Sequence, residues 1–204
     1  MAVENLKSNA VTNLDAVPEI YMTAGEGAHG MMSVQTDYAS PTAGGGSIGS
    51  TYRLARIPTT AKVKRVRFYT KGIDSNAAAT AAFDINVAFS DDLNDGTPSG
   101  VQGTIPTTAG GGAVTTVAAY ASPNKLFGTV TVANAGAAKE TDVTYAGTFT
   151  PANALDDLWD VFGFVTAQGY AQDPGGYFDI LAYLSTAAAT PAAGTIGVEV
   201  DFVK

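Results

Sequence analysis

Catalytic chemistry in this sequence would have to rest mainly on carboxylates, because the chain contains one histidine, His29, and no cysteine. A Ser-His pair would depend on His29 alone, and a Cys-His pair is impossible. A zinc site of the usual kinds would also need mostly carboxylate ligands. We therefore expect neither a nucleophilic triad nor a zinc centre.

The carboxylates form three clusters along the chain. They are Asp91 with Asp92, Asp156 with Asp157 and Asp160, and Glu199 with Asp201. A glycoside hydrolase needs two carboxylates that face each other across a cleft. Asp156 and Asp157 are instead expected at a turn, and Glu199 and Asp201 on the solvent face of the last strand. The pattern favours a protein that is not an enzyme and leaves a small carboxylate hydrolase as an alternative.

One glycine-rich segment, Gly44-x-Gly46-x-x-Gly49, has the spacing of a dinucleotide-binding fingerprint. That motif needs a buried strand before it and a helix after it, so that the helix N-terminus can hold a pyrophosphate. Here a Ser-Pro loop precedes the glycines and the strand-like 50-STYRLARI-57 follows them. We predict a loop and no cofactor.

The segment 91-DDLNDGTPSG-100 faintly resembles an EF-hand calcium loop. Leu93 would occupy the third ligand position, and Gln102 stands where the motif needs a bidentate glutamate. A turn is the better interpretation, and we predict no metal.

Positive charge is concentrated in one short segment of the chain. Seven of the eleven Lys and Arg residues lie between positions 53 and 71. They are Arg53, Arg56, Lys62, Lys64, Arg65, Arg67 and Lys71. The period of a β-strand places Val66 and Phe68 on one face of 62-KVKRVRFYTK-71. The opposite face then carries Arg65, Arg67, Tyr69 and Lys71.

Three explanations fit this basic face. Nucleic-acid binding is one, but a net charge of −8 without a second basic element argues against nucleic acid and anionic membranes as partners. A cross-strand ladder with Asp84 and neighbouring acids is the second. A contact with another subunit is the third, since arginine and tyrosine are favoured in interface cores. The last two are compatible, and both stay open.

The elements that would position these residues are strands. The sequence predicts strands at 31–38, 62–71, 83–92, 113–120, 126–133, 141–150, 158–167, 177–186 and 195–203, with a short helical turn within 151–158. The segments 62–71 and 83–92 form the best-patterned strand pair. Strands at such spacing, joined by Gly, Pro and Ala loops, indicate an all-β protein: an antiparallel β-sandwich or jelly roll over residues 31–204.

Residues 1–30 lack sustained periodicity and are interpreted as an N-terminal arm. The arm is either a disordered end or a segment that orders against a partner. Its apolar residues Ile20, Tyr21 and Met22 are candidate contacts with that partner. The start of the chain has no basic segment followed by an apolar run, and no apolar stretch of about 18 residues is present. We expect a protein that is made and used without crossing a membrane.

The run 49-GSTYRLARIPTTAKVKRVRFYTKG-72, followed by 83-FDINVAFSDD-92, resembles small virion proteins of tailed bacteriophages. In those proteins a loop with Arg-Leu-x-Arg-(Leu/Ile)-Pro leads into a strand of the form Lys/Arg-Val-x-Arg-Val. The opening MAVENLKSNAVTNLDA is also similar to the short Asn- and Thr-rich arms of phage structural proteins.

The resemblance implies a capsid decoration (cement) protein with no enzymatic activity. Its expected partners are the major capsid protein and further copies of itself, with a trimer as one option. The expected place is the capsid surface of a virion assembled in the host cytoplasm. The alternative is a tail- or fibre-associated module that binds a host-surface glycan through loops around Trp159, Tyr170 and Tyr177.

Overall fold

The computed structural model describes residues 5–7, 32–89, 104–106, 114–116, 126–162 and 177–204. Their strands are β1 (Asn5–Lys7), β2 (Met32–Ala39), β3 (Thr51–Pro58), β4 (Lys62–Lys71), β5 (Ala82–Phe89), β6 (Thr104–Pro106), β7 (Val114–Thr116), β8 (Gly128–Thr131), β9 (Lys139–Asp142), β10 (Tyr177–Thr186) and β11 (Thr195–Val203). The helical elements are α1 (Leu158–Phe162) and three single 3-10 turns at Ala43–Gly45, Asn134–Gly136 and Asn153–Leu155.

The strands form two main sheets and one small hairpin. Sheet A has five strands in the order β1-β3-β10-β5-β8, and sheet B has four in the order β2-β11-β4-β9. Strands β6 and β7 pair with each other. Every described pairing is antiparallel except that of β1 with β3. The predicted all-β sandwich is confirmed, while the jelly-roll connectivity stays a prediction.

The core lies between the inner faces of the two sheets. Phe68 on sheet B and Phe83 on sheet A pack with ring centroids 5.7 Å apart. The alternation predicted for 62–71 holds, since Val66 and Phe68 are buried, and on β11 Ile196, Val198 and Val200 are fully buried. Burying apolar side chains of this size contributes about 1.5–3 kcal/mol each. The largest fully buried side chains are Trp159, Tyr52, Phe68, Phe83, Phe127, Phe149, Phe178, Leu54, Ile57, Ile73 and Ile85.

Sheet A is buried on its outer face as well. Along β3, every residue from Thr51 to Ile57 is buried, and on β10 the adjacent Asp179, Ile180 and Leu181 are all fully buried. The two sheets therefore differ, because sheet B presents exposed charged and apolar side chains on its outer face. Sheet B therefore presents the more exposed outer face in the described part of the chain.

The expected pairing of 62–71 with 83–92 is wrong. Strand β4 pairs with β11 and β9, and β5 pairs with β10 and β8, so the two strands lie in opposite sheets. The residues from 72 to 81 carry the chain from one sheet to the other. A loop too long for a two-residue hairpin allows this crossing, and the two apolar faces then meet across the core rather than side by side.

A buried carboxylate, Asp74, fixes that crossing. Its two oxygens accept five backbone N–H groups, from Asn76 at 3.0 Å, Thr80 at 2.9 Å, Ala81 at 3.4 Å, Ala189 at 2.8 Å and Thr190 at 3.0 Å. Burial works to raise the pKa of Asp74, but the N–H donors outweigh it and hold the pKa well below its ordinary value of 3.8. One side chain thus joins the crossing loop to the loop after β10, a link that no local sequence pattern indicates.

The predicted strand at 158–167 is wrong where the structure describes it, since 158–162 form α1. Leu158 and Trp159 are both buried, although neighbouring residues of a strand point to opposite faces. Their backbone N–H groups donate to the carbonyls of Ala61 at 2.8 Å and Thr59 at 3.0 Å. These bonds attach the first turn of α1 to the turn between β3 and β4. Residues 163–167 lie outside the described residues.

The predicted strand at 141–150 is also wrong beyond its first residues, because β9 ends at Asp142. The Asp142 carboxylate accepts the Thr144 hydroxyl at 2.6 Å and the Thr144 N–H at 3.0 Å, which turns the chain. The helical turn expected within 151–158 is confirmed as the 3-10 turn at 153–155. Thr150 precedes it, and its N–H and hydroxyl both donate to Asn153.

Part of the predicted arm belongs to a sheet. Residues Asn5–Lys7 pair in parallel with Thr51–Arg53 of the same chain. The candidate contacts Ile20, Tyr21 and Met22 lie outside the described residues, so their role remains a prediction.

Candidate interface on the four-stranded sheet

The basic segment is divided between the two sheets. Arg53 and Arg56 lie on β3 in sheet A, and the other five cations lie on β4 in sheet B. The two groups have different environments, so one explanation does not cover all seven residues.

Arg53 and Arg56 meet one buried carboxylate, Asp179 of β10. Arg53 Nη1 lies 2.8 Å from Asp179 Oδ2, and Arg56 Nε lies 2.7 Å from Oδ1. All three side chains are buried. These arginines belong to the interior of the fold, and sequence reasoning missed Asp179 because it lies more than 120 residues further along the chain.

Arg65 and Arg67 face carboxylates of the same chain on both neighbouring strands. Arg65 is paired in register with Asp201, and its Nη2 lies 2.9 Å from Asp201 Oδ2. Arg67 is paired in register with Glu199 and contacts its carboxylate, while Arg67 Nη1 reaches Glu140 Oε1 at 2.9 Å. A cross-strand ladder of ion pairs within the chain is therefore confirmed.

The expected partner Asp84 is wrong. Asp84 lies on β5 in sheet A, is buried, and accepts hydroxyl groups from Thr129 at 2.6 Å and Ser185 at 3.2 Å. It cannot reach β4 because β4 and β5 belong to different sheets.

The charges of this ladder affect one another. The hydrogen bond to Glu140 is the main cause that raises the pKa of Arg67. Burial alone would raise the pKa of Asp142, but bonds from Thr144 and the charges of Arg65 and Arg67 lower it overall. The ladder therefore favours the charged form of both Arg67 and Asp142.

Tyr69 and Lys71 complete the predicted face. The Tyr69 hydroxyl lies 3.5 Å from Glu199 Oε2, at the outer limit of a hydrogen bond. Lys71 is exposed at the end of β4 and makes no ion pair with the other residues that the structure describes. The predicted face thus sets three cations among the four carboxylates of the neighbouring strands, which does not produce the positive surface that a polyanion needs. The four are Glu140, Asp142, Glu199 and Asp201.

Lys62 and Lys64 point to the 3-10 turn at 153–155. Lys62 Nζ donates to the Leu155 carbonyl at 3.1 Å and lies 3.4 Å from the Asp157 carboxylate. Lys64 Nζ contacts the Ala154 carbonyl. These lysines bind the end of a helical turn, where free carbonyl groups favour a cation.

The same outer face carries an apolar stripe that sequence reasoning missed. Met32, Val34 and Tyr38 on β2 are 61%, 57% and 57% exposed. In register they lie beside Val203, Asp201 and Gly197 of β11. The alternation in 31-MMSVQTDY-38 indicated a strand, but only the sheet order shows that β2 is an edge and that this face points outward.

The other candidate sites have structural explanations or lie outside the described residues. The glycine-rich loop leads into β3 and not into a helix, as predicted. The Tyr52 hydroxyl donates to the Gly45 carbonyl of this loop at 2.6 Å. Trp159 is 1% exposed, so its ring cannot serve as a platform for a sugar. Tyr177 is 39% exposed. His29, Tyr170 and the segment 91–100 lie outside the described part.

Glu199 and Asp201 form ion pairs with arginines, and Asp157 forms one with Lys62. Within the ranges that the structure describes, His, Asp and Glu residues do not gather into a group of three that could hold a metal ion. Among those same residues, no helix has both the length and the apolar character needed to cross a membrane.

No protein-family model and no curated protein sequence matches this chain significantly. The structure is similar to a chain in the capsid of Ralstonia phage GP4, with a TM-score of 0.56 and 17% sequence identity. That similarity covers 98% of this chain and 97% of the other. A chain of the cyanophage Pam1 capsid asymmetric unit aligns over 92% of this chain and 95% of its own length, at 16% identity and a TM-score of 0.36. At such identities the first likeness concerns the fold alone, and the second supports no argument.

Proposed function

We propose that this protein is a non-enzymatic structural protein of a tailed-phage virion, and that it decorates and stabilises the capsid. The observation that carries the proposal is the likeness to a chain in the capsid of Ralstonia phage GP4, which extends over nearly the full length of both chains. The resemblance of residues 49–72 and 83–92 to phage virion proteins supports the same conclusion from the sequence.

The mechanism is the combined effect of many weak contacts. A decoration protein binds the assembled shell and not the dissociated subunits, so its binding shifts the equilibrium towards the intact particle. Repeated over a lattice, contacts that are individually modest become collectively strong. Such a role requires an exposed binding surface on a stable domain and requires no active site.

Sheet B supplies the surface that we assign to this contact. Its outer face offers Arg65, which is 45% exposed, together with Tyr69 and the exposed Lys71. Arg65 and Arg67 are held in place by Asp201 and Glu199, which reduces the entropy that they lose on binding a carboxylate of the shell. We propose Arg65, Arg67, Tyr69 and Lys71 as the basic part of the interface with the major capsid protein.

The deciding experiment is the composition of purified particles. Virions of the phage that encodes this chain are banded on a density gradient, and peptides of the protein are counted by mass spectrometry against the main shell protein. We expect a fixed ratio across the particle band, equal to a simple fraction of the shell copy number. A tagged version added to the lysate before purification measures adventitious adsorption. Absence from intact particles, or only a few copies on the tail, would overturn the decoration role.

The N-terminal arm has its own test. Replacing Ile20, Tyr21 and Met22 together by serine is expected to lower occupancy on particles while leaving the melting temperature of the free protein unchanged. Limited proteolysis provides a second readout, because an arm that orders against a partner becomes protected when the partner is bound. Equal cleavage of free and bound protein would reduce residues 1–30 to a passive tail.

A further inference from the structure

Strand β2 is an unusually open edge of sheet B. It pairs with β11 over all eight residues, from Met32 opposite Val203 to Ala39 opposite Ile196, without a bulge. Within the described part of the chain, no strand lies on its other side. A long regular edge is a template for another strand, because alternate backbone N–H and C=O groups point away from the sheet.

The other sheet edges are protected in ways that β2 is not. Strand β9, at the opposite edge of sheet B, is four residues long and charged, with the sequence KETD. In sheet A the edge strands β1 and β8 have three and four residues. The sequence of β2, MSVQTDYA, contains no lysine and no proline. Short length, charge and proline are the usual means by which edges avoid association.

The backbone of β2 shows which groups are available. The Tyr38 N–H donates to the Asp37 carboxylate at 2.7 Å and not to β11. Because N–H directions alternate along a strand, those of Val34 and Thr36 also point away from β11. Asp37 therefore blunts the edge at one position, and its own side chain is buried. Among the described residues, no side chain caps the central part of the edge around Thr36 in this way.

We propose that β2 pairs with β2 of a second copy of this chain, antiparallel and about a two-fold axis at Thr36. The exposed side chains on the two sides of Thr36 are both apolar, with Val34 two positions before it and Tyr38 two positions after it. In this register Thr36 faces the partner's Thr36, and Val34 faces the partner's Tyr38. Threonine pairs and aromatic pairs with β-branched residues are favourable cross-strand neighbours.

The chemistry of the edge selects a second copy over an unrelated strand. The two-fold places Val34 against the partner's Tyr38 on both sides of the axis, and joins two copies of sheet B into one eight-stranded sheet. We call this contact between the two β2 strands the seam. No charged side chain lies on its exposed face, since Met32, Val34, Thr36 and Tyr38 are all uncharged. The self-complementary contact is of the isologous kind that two-fold dimers use. The proposal does not rest on the capsid role, and it differs from the three-fold association that the resemblance left as an option.

The absence of native cysteine makes a direct test possible. In a hydrogen-bonded antiparallel pair the Cα atoms are about 5.5 Å apart, which suits a disulfide. Thr36→Cys should therefore form a covalent dimer under mild oxidation. Val34→Cys and Tyr38→Cys should crosslink when the two variants are mixed, and less when each is alone. Ile48→Cys, at a residue that is 55% exposed outside the seam, is the control and should stay at background.

A charge variant tests the same seam without covalent crosslinking. Val34→Lys places two like charges beside the axis and should weaken dimerisation at least about tenfold in sedimentation velocity. Ile48→Lys is the matched control, because it also introduces a lysine at an exposed apolar position, and should leave dimerisation unchanged. Melting curves of the two variants show whether both are folded, and the Thr36→Cys result decides the question if Val34→Lys is not.

Each result has a defined meaning. Thr36→Cys crosslinking together with loss of dimer in Val34→Lys supports the two-fold seam. A monomer at every concentration, a trimer without Thr36→Cys crosslinks, or crosslinks only to another protein of the particle would overturn it. Absence of the protein from virions would overturn the proposed function but leave the seam intact, so the two failures are distinguishable.

Discussion

The guanidinium of Arg56 forms a two-point ion pair with the carboxylate of Asp179, with Nε 2.7 Å from Oδ1 and Nη2 3.1 Å from Oδ2. Arg53 contacts the same carboxylate, although residues three apart on a regular strand point to opposite faces. A β-bulge in β3 explains why both arginines lie on the same face. Arg53 pairs with Leu181 and Ala55 with Ile180, so Leu54 is an extra residue that brings both arginines to one face.

Removal of Asp179 should be among the most damaging single changes in sheet A. Asp179→Ala leaves two buried guanidinium groups without this carboxylate, and breaking a buried pair typically costs about 3–5 kcal/mol. Denaturant unfolding measures the loss. Asp157→Ala removes the acid of a half-exposed pair with Lys62 and should cost less than about 1 kcal/mol. Equal losses for the two variants would contradict a structural role for the buried cluster.

The free energy of unfolding should depend on Asp74 in a pH-dependent way. Asp74→Asn replaces a charged acceptor by an amide that brings its own donors among the five N–H groups, and we expect a loss of about 3 kcal/mol at pH 7. Because the pKa of Asp74 is lowered in the folded state, the unfolded state binds the proton more readily. The stabilisation is therefore complete well above the ordinary value of 3.8 and is lost as the pH falls below it towards the folded pKa.

Urea unfolding at several pH values between about 7 and 2 checks this sign. The wild-type protein should lose stability more steeply on acidification than Asp74→Asn. Asp142→Asn is a useful comparison, because the pKa of Asp142 is also lowered but the side chain lies at an edge strand with fewer donors. Parallel pH profiles for the wild type and Asp74→Asn would show that the five N–H groups do not hold a charged carboxylate.

The basic face of sheet B should matter more for association than for folding. Arg65→Ala with Arg67→Ala removes pairs that lie on the surface, so the melting temperature should fall by only a few degrees. Occupancy on particles should fall clearly, since losing charged partners at a desolvated interface is far more damaging than at an exposed pair. Lys62→Ala with Lys64→Ala is the control, because it removes equal charge from the same strand.

The opposite result would be equally informative. Unchanged occupancy with a sharp fall in melting temperature would mean that Arg65 and Arg67 only brace their own sheet. Titration with single-stranded DNA tests the nucleic-acid explanation, which requires salt-sensitive binding that the double variant loses. We expect no binding.

Two glycines with the same backbone angle φ allow backbone strain to be distinguished from steric overlap of an added Cβ. Gly128 and Gly49 both have φ +94°, which side-chain-bearing residues rarely adopt. A Cβ on Gly128 would lie 2.7 Å from the backbone of Ala146, whereas on Gly49 the nearest atom is 3.9 Å away. Gly49→Ala should cost about 1–3 kcal/mol from strain alone, and Gly128→Ala clearly more. Thermal or denaturant unfolding of both variants measures the difference; equal losses would mean that Ala146 moves aside freely.

Two-residue alternation in the sequence was sufficient to predict β4, β5, β10 and β11 and the core faces of their side chains. The reason is that side chains alternate between the two faces of a strand, so the face that meets the core takes apolar residues at every second position. The opposite placement of Val66 and Arg67 follows from that local rule alone. The rule failed at Leu158 and Trp159, which lie in the short helix α1 and whose backbone N–H groups donate to Ala61 and Thr59.

Sheet membership was decided only by the tertiary structure. Nothing local indicates that β4 pairs with β11 and not with β5, because both pairings bury the same apolar faces. The partner of Arg65 is therefore Asp201 and not Asp84, and the partner of Arg56 is Asp179, far along the chain. The bulge at Leu54 and the open edge at β2 arise in the same way, from register and strand order. A sequence determines which residues are favoured in the core or need an opposite charge nearby, but long-range strand pairing determines which partner each one contacts.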